Sequence, residues 1–322
     1  MNRRAGEALH RGTKRRRDFG PAGAGGAMVF LGGDKLIIGY DLGREHAQIS
    51  FAASQDGTVE TLSQVAGEEK FSIPTALCKR YGANQWLYGR EAQRLAGENQ
   101  GVLVENLLEL ALDGEPVIVD GESFDPVALL ALFFKRSLGN LKVASMVITC
   151  PMLDHRVIEV LGQVAGGMEL RADKLYYQSY SESFYTYMLR QPEELWLHRS
   201  VLFEYRADGV KAYLMECNRR TRPMVVSVEE REYLFSDYGY FSGAGYEELD
   251  QAFCRIAEEA CSGGPVGSVY LIGEEFGEDW MKNSLRFLCR GRRVFQGSNL
   301  FSKGACQNIL HGGINIAVTV QD

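Results

Sequence analysis

Residues Ile38-Gly39-Tyr40-Asp41-Leu42-Gly43 end an apolar run in an acidic residue and a glycine. Arg44 and Glu45 follow, and residues 46–53 resume an apolar alternation. That pattern predicts two strands, 35–41 and 46–53, around a turn at 42–45. Ser54-Gln55-Asp56-Gly57 predicts a second turn with a third strand at 58–62, because Asp-Gly before a β-branched residue is a hairpin signal. Further along, 73–79 and 85–88 read as another hairpin across Tyr81-Gly82-Ala83-Asn84. Residues 90–96 begin a helix, and 103–112 form a short apolar segment.

Strands and helices then alternate. Asp120-Gly121 turns a strand at 116–119, and Asp125 before Pro126 marks the start of a helix over 126–138. Asp accepts from the free amides of a first helical turn, and proline's fixed φ suits that turn. The pattern continues as strand 143–150, amphipathic helix 154–165, strand 174–178 and helix 181–189. Tyr180, Phe184 and Tyr187 share one helical face, which predicts core packing. A second meander follows at 201–205, 210–217 and 224–228. Helix 246–261, strand 269–272, helix 280–288, strand 293–296 and helix 302–311 come next, with an alternating strand at 314–320. Meander, helix, strand, helix, strand, helix therefore occurs twice. The prediction is an α/β protein of two related lobes with a ligand cleft between them.

The first 27 residues differ from the rest. They hold seven basic and two acidic residues, and leave a body of 28 basic and 40 acidic residues with net charge −12. Such an arm cannot bury enough apolar surface to fold alone. It suits an anionic contact, or else translation begins at Met28; the second reading is preferred. The acidic body argues against nucleic acid as main ligand. No apolar run reaches the roughly 20 residues of a membrane-spanning helix. The seven cysteines are scattered and odd in number, with no C-x-x-C pair, which reads as thiols of a cytoplasmic protein. Neither they nor the five dispersed histidines form a zinc spacing.

Segments in this order resemble the nucleotide-binding domain of the actin and DnaK-type chaperone superfamily. Gly39-Tyr40-Asp41-Leu42-Gly43 resembles its first phosphate loop. Ser72-Ile73-Pro74-Thr75 with Tyr88-Gly89-Arg90-Glu91-Ala92 resembles its proline-led strand and glycine-led helix. Val147-Ile148-Thr149-Cys150-Pro151, with Ala165-Gly166 closing the next helix, resembles a further strand-Pro-helix segment. Residues 174–178 with Ser181-Glu182-Ser183 resemble the entry to an acidic interlobe helix, and Val269-Tyr270-Leu271-Ile272-Gly273 the adenosine loop. The resemblance implies a divergent bacterial member with a two-lobed actin-like ATPase-domain fold, a duplicated ribonuclease H-like α/β plan. Its lobes would be 28–195 and 196–322, the second open to truncation at its end. ATP or ADP with Mg²⁺ would be the cofactor.

By that resemblance Asp41, Glu182 and Glu204 would be the catalytic carboxylates, with Asp41 and Glu204 holding Mg²⁺ through water. Gly43, Arg44, Arg206, Gly243, Gly245 and Gly273 would join Asp41 around the nucleotide. The sequence departs from the pattern at the second phosphate loop, Glu204-Tyr205-Arg206-Ala207-Asp208-Gly209. Side chains there block the close backbone approach that a glycine run allows. Glu274 replaces the second glycine of the adenosine loop. The reading that follows is a non-hydrolysing binding or assembly module with a protein partner, homo-oligomerisation being left open. The alternatives are a Mg-ATPase with remodelled loops and a polymerising cytoskeletal or cell-division protein.

Overall fold

A computed structural model describes residues 35–53, 57–65, 68–168, 170–241, 243–310 and 316–321. The basic arm at 1–27, residues 54–56 of the predicted second turn, and Ser242 lie outside them.

β1 (Leu36–Leu42) and β2 (His46–Ala53) form the predicted antiparallel hairpin, and β3 (Glu60–Thr61) and β4 (Ile73–Pro74) both pair with β2. β5 (Leu77–Arg80), β6 (Trp86–Tyr88) and β7 (Gly101–Val104) make a small antiparallel sheet against α1 (Gly89–Gly97). α2 (Leu107–Asp113) and the hairpin of β8 (Val117–Val119) and β9 (Glu122–Phe124) follow. α3 (Pro126–Leu138) starts where Asp125 accepts from the Val127 amide at 3.0 Å, and leads to β10 (Val143–Cys150). α4 (His155–Gly167), β11 (Leu175–Ser179) and α5 (Tyr180–Met188) complete this half.

The second half begins with a meander of β12 (Arg199–Arg206), β13 (Gly209–Asn218) and β14 (Met224–Leu234). α6 (Tyr246–Ala260), β15 (Val266–Ile272), α7 (Asn283–Leu288), β16 (Arg293–Gly297), α8 (Leu300–Leu310) and β17 (Ile316–Gln321) follow. The main sheets have the orders β11-β10-β1-β2-β3 and β16-β15-β12-β13-β14-β17. In each, the first strand pairs antiparallel with its hairpin partner on one side and parallel with a later strand on the other. The same strand plan thus occurs twice, as the repeated element order predicted.

The two faces of the first sheet differ. Ile38, Tyr40, Ile49, Met146 and Ile148 bury against α3 and α4. The opposite face presents Gly39, Asp41, Gln48, Ser50 and Thr149, all buried, toward α5 and α8. The second sheet buries an apolar cluster on each face, against α6 and α7 on one and against α5 and α8 on the other. α5 and α8 are therefore shared between the sheets.

Several elements differ from the sequence reading, among them β14, which runs to Leu234 rather than ending at 228, and the unexpected β9. Residues 73–79 do not make one strand, because the backbone changes partners from β2 to β6 and β7 between Pro74 and Leu77. The apolar segment 103–112 divides at Asn106, whose φ of 53° turns the chain from β7 into α2. The helix expected from Trp280 begins at Asn283. Trp280 instead fills the core with its Nε1 donating to the Glu275 carbonyl, while buried Asp250 accepts from the amides of Lys282, Asn283 and Ser284. Among the described residues no helix is long and apolar enough to cross a membrane, and the seven cysteines are free thiols.

α8 fits between the sheets through two glycines. A Cβ on Gly39 would stand 2.0 Å from the Ser302 carbonyl oxygen, and one on Gly304 would stand 2.0 Å from that of Ser183. Both obstacles are backbone, so neither can rotate away. Gly304→Ala should cost roughly 1–3 kcal/mol by overpacking, and Gly39→Ala at least as much. Urea unfolding checks this; wild-type stability in both variants would show that α8 does not lie this close.

Candidate functional site

Asp41 and Glu204 hold equivalent places in the repeated plan, each near the end of the first strand of its sheet. Across the first sheet the register runs Gln178, Thr149, Asp41, Gln48 on β11, β10, β1 and β2. These four polar residues lie on one buried face, and α5 and α8 supply most of their partners. Tyr180 donates to Asp41 Oδ1 at 2.7 Å, and Ser183 to the Thr149 hydroxyl at 2.8 Å. Asn308 donates to Gln178 Oε1 at 3.0 Å, and Gln178 donates to the Thr186 hydroxyl at 3.2 Å. Gln48 reaches Ser72 at 3.4 Å, but its Oε1 is buried without a partner.

The second sheet answers with charge. Glu204 lies opposite Lys211, which lies opposite Glu232. Tyr213 donates to Glu204 Oε2 at 2.9 Å, and Arg206 approaches the same oxygen at 3.5 Å and Glu232 at 3.2 Å. Lys211 pairs with Glu230 at 2.6 Å, and Ser181 on α5 donates to that carboxylate. Between the two acids the Tyr180 ring stacks on Phe301 at 3.8 Å, and Tyr213 meets Phe301 edge-on at 5.8 Å.

Burial pushes the Asp41 carboxyl up to about 7; the Tyr180 hydrogen bond opposes this, and the charge of Glu204 adds to it. Burial also raises Glu204, against Arg206, Tyr213 and Lys211. Tyr180 is held well above its ordinary value by burial, with Asp41 and Glu204 reinforcing it. Near neutrality this is a desolvated carboxyl that keeps its proton about half the time, beside a hydroxyl that stays protonated.

The other residues singled out from the sequence fall in different surroundings. Arg44 pairs with Glu109 of α2 at 3.2 Å, both side chains exposed. Gly43 closes the β1–β2 turn, where a Cβ would meet the His46 carbonyl oxygen at 2.5 Å. Ala207-Asp208 form the tight two-residue turn that the sequence suggested, with Arg206 opposite Gly209. The Glu182 carboxylate accepts from the Ser179 amide at 2.6 Å, closing a capping box on α5. Gly243 is an exposed turn residue with φ of 92°, and Gly245 precedes α6. At Gly273, φ is 133° and a Cβ would strike the Tyr205 Cβ at 2.8 Å. Tyr205 itself packs among Phe235, Phe276 and Trp280. The structure thus brings together Asp41, Glu204 and Arg206, and separately Gly273 with Tyr205. Among the described residues no group of three or more His, Cys, Asp or Glu is arranged to hold a metal.

Sequence reasoning missed Tyr180, Tyr213 and Phe301 as parts of this site, having assigned Tyr180 to the core alone. One signal was present: Asp41, Gln48, Thr149 and Gln178 are polar positions within largely apolar strands, and the register sets the four side by side.

The unfolded Asp41 carboxyl titrates near 4 and the folded one near 7, so the folded chain holds an extra proton between those values. Stability should therefore fall as pH rises from about 4 to about 7 and level off above, by up to ~4 kcal/mol from this group. Asp41→Asn removes the ionisation. Its stability relative to wild type should rise by a few kcal/mol between pH 5 and pH 8 in urea unfolding. An unchanged difference at the two pH values would mean that Asp41 is ionised throughout.

No curated protein matches the chain. Residues 58–313 match the model of a family described as the C-terminal part of a family of unknown function, DUF5716. The match begins after β1 and β2 and takes in the rest of both main sheets up to α8. It spans well over half of the 322 residues, and the chain belongs to that family.

Proposed function

We propose that the chain is an actin- and DnaK-like two-lobed module whose nucleotide site is closed by its own side chains, and that it works by binding or assembling a protein partner rather than by hydrolysing ATP. The repeated strand plan, with α5 and α8 between the sheets, supports the fold half of this reading. The observation that carries the functional half is the Asp41–Tyr180 hydrogen bond inside a stacked aromatic pair.

In the fold that the chain resembles, the residue at Asp41 faces hydrated Mg²⁺ and phosphate. Such a role needs an ionised carboxylate open to water. Asp41 is 6% exposed, accepts from a phenol and, with its carboxyl raised to about 7, is only about half ionised near neutrality. Glu204 is bonded to Tyr213 and Arg206, and Arg206 is shared by two carboxylates. The glycine matched to the adenosine loop abuts Tyr205, so its open side is filled. These residues do not fit Mg-nucleotide.

Phosphoryl transfer rests on positioning and on electrostatic stabilisation of the moving group. Each missing backbone donor costs roughly 3 kcal/mol of transition-state stabilisation, judged from single oxyanion donors. Tyr205, Arg206, Ala207 and Asp208 replace the glycine cradle with side chains, and Asp208 adds like charge. The purified chain should therefore release phosphate from Mg-ATP no faster than Asp41→Ala does. Mg²⁺-dependent turnover that Asp41→Ala abolishes would establish the remodelled-ATPase alternative instead.

A further inference from the structure

The turn before α6 leaves two aromatic side chains in solvent. Phe241 is 65% exposed and Tyr246 59% exposed, although Tyr240 between β14 and this turn packs on Phe235. The Ala244 amide donates to the Phe241 carbonyl, so the chain turns beside Phe241, and Tyr240 and Tyr246 on either side of that turn both lie near Tyr205. Tyr246 donates to Glu278 at 2.6 Å, which ties this rim to the loop after β15. Glu275 and Glu278 stand by Tyr205 beneath it, and Glu248 lies by Gly245.

The charge around this rim is one-sided. Residues 236–279 contain ten acidic residues and a single basic one, Arg255. Arg255 is occupied, donating to the Tyr238 carbonyl. Glu247, Glu248, Glu274 and Glu275 are exposed. Exposed aromatic faces beside carboxylates complement one chemistry above others. A guanidinium can stack on the rings and fork onto the carboxylates. An acidic peptide or a nucleic acid would be repelled.

We propose that the Phe241–Tyr246 rim, with Glu275 and Glu278, is the docking surface for an arginine-bearing segment of a partner protein. The inference deepens the reading of a binding module and rests on it.

Fluorescence anisotropy of a labelled Arg-Ser repeat peptide, titrated with the full chain at low salt, tests it. The expected result is saturable binding that Phe241→Ala with Tyr246→Ala weakens about tenfold at unchanged melting temperature. Glu275→Gln with Glu278→Gln, which keeps the rings, should weaken it comparably. Glu91→Gln on α1 should leave the affinity within about twofold, as for any exposed charge elsewhere. A Lys-Ser repeat should bind more weakly than the Arg-Ser one. Equal affinity for every variant would reduce the attraction to net charge, and absence of binding would end the proposal. Binding seen only after residues 1–27 are deleted would make that basic arm the occupant and overturn the assignment to a partner. Phosphate release measured on the same preparation separates the two levels. Turnover lost in Asp41→Ala sinks the closed-site reading, whereas failed peptide binding without turnover sinks this inference alone.

Discussion

α8 can lie between the two main sheets only because Gly39 and Gly304 have no side chains. Each glycine stands against a backbone carbonyl, one on α8 and one on α5. That spacing sets how near α5 comes to the first sheet, and so whether Tyr180 can reach Asp41 and Ser183 can reach Thr149. A methyl group at either position would push apart the elements that shape the site. Dispersion contacts fall off steeply over a fraction of an ångström, so the interface has little slack. The position of α8 is a precondition of the chemistry around Asp41.

The same helix pair meets two unlike surfaces. On the second sheet α5 and α8 bury Phe184, Tyr187 and Phe301 among Leu202, Tyr213, Met215 and Tyr270. On the first they meet Ser50, Asp41, Thr149 and Gln178 through hydroxyls and amides, including Ser302 on Ser50 at 2.8 Å. Buried polar groups cost free energy when left unpaired, so this face depends on matched partners. Asp41 meets the requirement by taking the phenol as donor and by holding its proton to higher pH than an exposed carboxyl does. An ionised carboxylate there would have to overcome both burial and Glu204. In the proposed reading, the closed character of the site follows from packing as much as from the side chains of the 204–209 turn.

Much of the architecture was legible before the fold was known. Asp125-Pro126 set the start of α3, and its predicted end at residue 138 matches, because cap and period agreed. The recurrence of meander, helix, strand, helix, strand, helix gave the α/β class and the duplicated strand plan. The misplaced start of α7 has a tertiary cause: Trp280 has helical spacing but is drawn into the core, and Asp250, more than 30 positions earlier, caps the later turn. The site was half legible. Asp41 and Glu204 stood out at the ends of their strands, and the turn at 204–209 was visibly crowded with side chains. Tyr180 was not recognised as Asp41's partner, since the two are 139 positions apart and the spacing of Tyr180 already explained it as core. Tyr205 beside Gly273 was hidden for the same reason: one side chain fills the space that another residue's missing side chain leaves.

The central claim is that Tyr180, Asp41 and Tyr205 close the cleft against nucleotide. Calorimetric titration of the full chain with ATP and with ADP, each with and without Mg²⁺, addresses it most directly. The account predicts no saturable heat in any of the four titrations. Saturable binding that strengthens with Mg²⁺ and is lost in Asp41→Ala would contradict it.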